Sequence, residues 1–225
     1  MSAVHIPLET LTNLEDLYLH DIYPDNTFDL LGENLLSWIH KILDKFDVPK
    51  NGTLLGNIAD SATIQGRVYI SESATVEPTA MIQGPSFIGP GATVRHGAYI
   101  RGGVYMGKNS ILGHASEAKG SVLLDRASAA HFAYLGDSIL GQHCNLGAGT
   151  RLANLRLKKD TVPFFHPKTM QRLPSGLRKF GAILADRAQT GCNSVLSPGT
   201  ILLQDTGVYP CVHYHGTLQS GWIKK

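Results

Sequence analysis

Residues 58–112 read IADSATIQGRVYISESATVEPTAMIQGPSFIGPGATVRHGAYIRGGVYMGKNSIL. Stepping by six from Ile58 gives Ile64, Ile70, Val76, Ile82, Ile88, Val94, Ile100, Met106 and Leu112 without a miss. Four residues after each of these come Ala62, Val68, Ala74, Ala80, Ser86, Ala92, Ala98, Val104, Ser110 and Ser116. Each six-residue unit therefore offers one large apolar side chain and one smaller one to an interior. Period six is neither the 3.6 of a helix nor the alternation of a long strand. It fits a short strand followed by a sharp turn, with three units closing a triangular coil. Successive coils would then pair in parallel, about 4.8 Å apart. The fold class expected is an all-β solenoid, a parallel β-helix of hexapeptide repeats.

Outward from this stretch the register fails twice. It slips between Leu124 and Tyr134 and returns as Tyr134, Leu140, Leu146 and Leu152. It disappears over 155–182 and resumes as Leu184, Thr190, Leu196, Leu202 and Val208. Interruptions in a solenoid are normally loops leaving a coil edge, and such loops often carry function. The second holds Arg156, Lys158, Lys159, Lys168, Arg172, Arg178 and Lys179 against one acid, Asp160. It reads either as a solvated basic loop or as a cationic arm over a phosphorylated ligand.

Residues 1–50 differ in character. Leu31, Leu35, Trp38, Ile39, Ile42, Leu43 and Phe46 make one apolar helical face, closed by Pro49 and Gly52. A lone helix would leave that face wet, so it should pack on the solenoid or on a neighbouring subunit. The organisation expected is a helical cap or linker over 1–50, β-helix coils over 51–154, a basic excursion over 155–182, and further coils with a tail over 183–225.

Bulk properties narrow the function classes. A net charge of +2 gives no reason to expect nucleic acid or an anionic membrane as partner. No apolar run approaches the length of a bilayer span, and the first residues lack the pattern of a signal peptide. Cys144, Cys192 and Cys211 are odd in number and far apart, which fits reduced thiols in a cytoplasmic protein.

Candidate chemistry gathers around the first slip. His131 lies in HFAYLGDSILGQHCNLGAGTRLANL, with Glu117, Lys119, Tyr134, Asn145 and Asn154 on adjacent coils. The segment Leu146-Gly-Ala-Gly-Thr exposes backbone amides with little side chain in the way. Singly, each residue has a plainer reading: Arg95 as a coil-edge residue, Tyr134 as a register position, Asn145 as a member of an asparagine ladder. Together and in order they read as a site.

The ordered set Arg95, Glu117-Ala-Lys119, His131-Phe-Ala-Tyr134-Leu-Gly-Asp137 and Asn145-Leu-Gly-Ala148-Gly-Thr150 resembles a known family. That family is the acetyltransferase domain of bifunctional bacterial N-acetylglucosamine-1-phosphate uridyltransferase/glucosamine-1-phosphate N-acetyltransferase. The likeness runs over about residues 55–154, and the later coils look like stand-alone sugar-nucleotide-related hexapeptide proteins. It implies a left-handed crossover, which spacing cannot show, and a homotrimer with sites between subunits. It also implies an acetyl-CoA-dependent N-acetyltransferase acting on an amino-sugar phosphate in sugar-nucleotide and cell-envelope precursor synthesis.

On this resemblance His131 is the general base that deprotonates the acceptor ammonium, and Glu117 orients it. Arg95 and Lys119 bind the phosphate, and Tyr134 and Asn145 the sugar. Asn154 and the Ala148 amide, the latter a donor-binding contact, stabilise the tetrahedral intermediate. The chemistry requires no metal. Two departures stand out. Residues 1–50 are too short for the family's nucleotidyl-transfer half, so no uridyltransferase activity is expected, and Leu155-Arg156-Leu157 replaces the family's usual Tyr-Asp-Gly. Competing readings are a zinc lyase of γ-carbonic anhydrase type, for which His96, His114, His131, His143, His213 and His215 supply numbers but no matching spacing, and a non-catalytic sugar-nucleotide-related hexapeptide protein, a scaffold or sensor.

Overall fold

The computed structural model describes residues 5–224. Residues 1–4, where the segment read as lacking a leader begins, and Lys225 lie outside them. The chain winds into a left-handed parallel β-helix whose strands stack into three sheets of nine, nine and eight strands. Where the coils are regular, each is 18 residues long: Val68 pairs with Ser86, and Ser86 with Val104. The six-step series fills the interior, fully enclosed from Ile70 to Leu112, while Ile58 and Ile64 pack against it at the open end. The small series lies beside it, with Ala74, Ala80, Ala92 and Ser110 buried at the turns. Their small bulk is what lets the corners close.

The corners have a repeated backbone signature. Between the first and second sheets, Asn109, Arg126, His143, Arg187 and Asp205 all hold φ between 57° and 61°. Between the second and third, Thr79, Ala115, Phe132, Asn193 and Cys211 hold φ between 49° and 62°. Glycine or asparagine tolerates this region most readily, and several positions carry neither. The ladder bonds on both sides impose the left-handed corner whatever residue occupies it.

The first slip resolves into two shortened corners between the third and first sheets. Met106 pairs with Leu123, and Leu123 in turn with Leu140, so each of these coils is one residue short. The interior runs Leu112, Ala118, Leu123, Ala129, Leu135 and Leu140, all fully buried. Leu135, rather than Tyr134, is therefore the register residue. Tyr134 faces outward and is half-buried. Since side chains alternate along a strand, one missing residue moves the neighbour to the other face.

A second apolar core lies outside the solenoid. The helix Gly32–Lys45 and the short 3-10 turns before it cover the outer face of the first sheet. Phe87, Tyr105, Val122, Ile139, Ile183 and Ile201 point outward from that sheet and are buried in one cluster with Leu35, Trp38, Ile39, Ile42 and Phe164. Tyr69, Phe87 and Tyr105 stack on successive coils with ring centroids 4.9 and 5.4 Å apart. Tyr23 and Tyr105 share a 3.0 Å hydrogen bond beneath Trp38, whose indole N–H donates to the Ile22 carbonyl.

The excursion joins this layer. Its strands Pro163–Phe165 and Arg172–Pro174 form an antiparallel hairpin, and Val162, Phe164 and Phe180 are buried. Phe28 of the N-terminal segment packs on Phe164 and Phe180, with centroids 5.1 and 5.6 Å away. The excursion is thus anchored by its apolar residues and shows its cations to solvent, apart from the half-buried Arg156.

Candidate active site

The third sheet carries the densest polar cluster. Glu117 pairs with Tyr134 on the next coil, and Tyr134 with Arg151 on the one after. The shortened corners follow at once, bringing Lys119 and Asp137 together: Lys119 Nζ lies 3.1 Å from Asp137 Oδ1. Asp137 is only 8% exposed and also accepts a short hydrogen bond from Asn154 Nδ2. Tyr134 donates to Asn154 Oδ1 at 3.4 Å. Three coils therefore contribute to one chain, Lys119–Asp137–Asn154–Tyr134. Burial raises the Tyr134 phenol above its usual range, aided by the Glu117 and Asp137 carboxylates. It stays a neutral donor near neutral pH.

Arg101 completes the cluster one coil below, with its guanidinium 2.7 Å from Glu117 Oε1. The hydrogen bond to Glu117 raises the Arg101 pKa further. Arg95 is elsewhere. It lies two coils from His131, at the end of Thr93–Val94, and its guanidinium makes no hydrogen bond or ion pair among the described residues.

His131 sits on the corner that leads into Tyr134 and is exposed. Its Cα pairs with that of His114, and the same column continues down to His96 and up to Ala148. Each lower histidine is fixed by the coil beneath. The Nδ1 of His114 lies 2.9 Å from the His96 carbonyl, and that of His96 lies 3.0 Å from the Pro78 carbonyl. A carbonyl only accepts, so in each neutral ring Nδ1 carries the proton and Nε2 is the free base. The His96 and His114 rings stack at 5.3 Å. The imidazole of His131 has no partner among the described residues, and Glu117 is held by Arg101 rather than by His131. Above it the Ala148 N–H makes no backbone hydrogen bond among the described residues, while the Ala148 carbonyl accepts from Asn193 at 2.8 Å.

Of the residues singled out in the sequence, Glu117, Lys119, Tyr134 and Asn154 thus share one face, with His131 and Ala148 at its bordering corner. Arg95 lies lower, and Asn145 faces outward on the second sheet, paired with Ser128 and Gln189. Arg101 and Asp137 were missed as members. Asp137 stood in the motif without a role. Arg101 follows interior Ile100 as Lys119 follows interior Ala118, a register signal that could have found it.

Beside Asn154 opens a 480 Å³ groove lined by Ala153, Leu155, Arg156, Leu157, Lys158, Ser197, Pro198 and His215. Burial lowers the His215 pKa, and Arg172, His213 and Arg156 add to the shift. Arg156 pairs with Asp160 at 2.8 Å. Among the described residues no group of three or more His, Cys, Asp or Glu converges as a metal site.

This is a hexapeptide-repeat β-helix carrying a polar cluster on one face and a histidine on its border. The chain belongs to the GMPPB C-terminal domain family, whose pattern matches residues 82–213. It is 33% identical over 156 residues to a bifunctional sugar-1-phosphate nucleotidylyltransferase/acetyltransferase of Sulfurisphaera tokodaii, covering 69% of this chain and 38% of that protein. It is 42% identical over 182 residues to a bifunctional protein GlmU of Methanococcus maripaludis strain C7, covering 81% of this chain and 41% of that one. The chain therefore spans about two fifths of these curated relatives. Among solved structures, the Francisella novicida UDP-N-acetylglucosamine acyltransferase shares the fold, with a TM-score of 0.52, 14% identity, and coverage of 77% of this chain and 68% of that one.

Proposed function

We propose that this chain is an acetyl-CoA-dependent N-acetyltransferase acting on an amino-sugar phosphate of the glucosamine 1-phosphate type. The observation that carries the reading is the Lys119–Asp137–Asn154–Tyr134 chain of hydrogen bonds beside the His131 corner. The names of the relatives, which pair nucleotidyl transfer with acetyl transfer, point the same way. His131 takes a proton from the acceptor ammonium, freeing the nitrogen lone pair to attack the thioester carbonyl. The Ala148 N–H of one copy and the second amide hydrogen of Asn154 from a neighbouring copy donate to the oxyanion that forms. Collapse expels the thiolate, which recovers the proton from His131, and the amide nitrogen gives up its remaining extra proton to solvent. Tyr134 donates to a sugar oxygen, and Asp137 holds Asn154 and Lys119 in place.

The cluster places Arg101 against Glu117 and Lys119 against Asp137, so its charges cancel pairwise. The positive charge that offsets a phosphate comes instead from Arg95 and from Lys158 in the neighbouring groove, where the lowered pKa of His215 favours its neutral ring. Copies assemble in the cytoplasm as a homotrimer, and the exposed His131 edge gains its second wall from a neighbouring copy. The test is thiol release from acetyl-CoA with glucosamine 1-phosphate as acceptor. Turnover should fall by about 10²-fold or more in His131→Ala with the fold intact, as loss of a general base implies. An inactive wild type, or equal turnover in the variant, overturns the reading. The paired cations also favour a binding-only protein, which would show saturable acceptor binding in calorimetry without thiol release.

A further inference from the structure

Two of the three thiols are placed in a way the reaction does not use. Cys192 and Cys211 are both exposed and lie on successive coils at the corner between the second and third sheets. The Cys211 N–H donates to the Cys192 carbonyl at 2.8 Å. With ordinary covalent lengths on either side of that bond, the two Cα atoms lie no more than about 6.7 Å apart. A disulfide spans up to about 6.8 Å between Cα atoms.

The corner also sets the register of the two cysteines. Cys211 has φ 62° and occupies the same corner position as Asn193 one coil below, which has φ 57°. The Asn193 side chain descends onto the coil beneath, where its Oδ1 takes the place a Cβ on Gly149 would fill. Cys211 faces the same coil in register with Asn193, and Cys192 is the residue directly before Asn193 on that corner. The remaining thiol, Cys144, is buried and donates to the Ala185 carbonyl at 2.9 Å. It does not compete.

We propose that Cys192 and Cys211 form a dithiol site, which closes to an intramolecular disulfide by exchange with a small-molecule disulfide. One thiolate attacks the external disulfide and releases one small thiol, leaving a mixed disulfide on the protein. The second thiolate then displaces the other small thiol, so two protein thiols are oxidised and one external disulfide is reduced to two thiols. Cys192 stacks directly above Ala148, and Asn193 binds the Ala148 carbonyl. The bridge therefore ties the coil that supports Ala148 to the coil above it. This differs from the three independent reduced thiols that spacing along the sequence suggested.

The test uses the full folded chain with oxidised glutathione, followed by alkylation and intact-mass measurement. The wild type should lose two hydrogens and retain no glutathione, and a peptide map should join residue 192 to residue 211. Cys192→Ser and Cys211→Ser should each retain a single glutathione instead. As a second readout, the reduced protein should bind phenylarsine oxide across both sulfurs, with affinity falling by roughly 100-fold in either variant, the loss expected when one arm of a chelate is removed. Glutathione kept on both cysteines of the wild type, bridges only between chains, or unchanged arsenical affinity in the variants would each overturn the proposal.

Discussion

Asp137 does more at this site than its silent place in the sequence motif suggests. Its carboxylate takes Lys119 on one oxygen and Asn154 on the other, so it orders two side chains of the polar cluster. Asp137→Asn would leave an N–H facing either an ammonium or an amide N–H. We expect kcat/KM to fall about 10- to 100-fold, equivalent to roughly 1.4 to 2.7 kcal/mol, with the far-UV spectrum unchanged. Steady-state kinetics on the purified variant checks this. Asp125 and Asp186 act differently. Asp125 Oδ1 accepts from the Lys108 N–H and Oδ2 from the Tyr18 N–H, while Asp186 bridges the Gln142 and Asn13 N–H groups. Each thus clips the N-terminal segment to a coil corner. Burial raises both carboxyls above the ordinary value of 3.8. A raised folded-state pKa gives stability that is present below the unfolded value and lost as pH climbs through the folded one. In urea unfolding, the margin of wild type over Asp186→Asn should therefore be widest near pH 3.5 and shrink toward pH 7. A margin that widens with pH would show that the carboxylate is stabilised, not burdened, by its site.

Single elements explain what the sequence could and could not reveal. The interior was legible because a coil repeats one inward large residue every six positions, and Ile70 through Leu112 obey it without exception. The shortened corners were not, because Tyr134 and Leu135 are adjacent and both apolar enough to continue a register. The pairing of Ala118 with Leu135 and of Leu123 with Leu140 separates them. His131, Tyr134 and Asn154 could be named as candidates from motif order, whereas the contact of Arg101 with Glu117 depended on knowing which residues share a column. The helix Gly32–Lys45 showed its apolar face in the sequence, but not its target. Its partners Phe87, Tyr105 and Val122 are scattered outward positions of a sheet whose other face holds the repeat. Trp38 lies on Tyr105 with a centroid separation of 4.9 Å. Trp38→Ala should cost about 3 to 5 kcal/mol by loss of packed aromatic volume. Chemical denaturation measures it, and a cost below about 1 kcal/mol would mean that the layer contributes little.

At the scale of the whole molecule, a solenoid passes stability from coil to neighbouring coil. The N-terminal layer alters that simple scheme. It bonds to corners as distant in sequence as Asp125 and Asp186, tying coils that do not touch one another. The same layout bears on assembly. Light scattering coupled to gel filtration should find three copies of the 24.3 kDa chain in solution. A monomer at micromolar concentration with full acetyl transfer would rule out a site shared between copies.

The coat over the first sheet has one more consequence. A triangular prism has three flanks, and here one is already upholstered by Leu35, Trp38, Ile42 and Phe164. The other two are bare: Asn145 and Gln189 on one, Arg151, Val195 and His213 on the other, all exposed. They meet along a single ridge, and that ridge carries His96, His114, His131, Ala148 and Cys192 in vertical order. The N-terminal segment, which supplies none of the residues proposed for the chemistry, thus leaves this ridge flanked by open ground on both sides. It chooses, by covering one wall, which edge of the prism the rest of the world can reach.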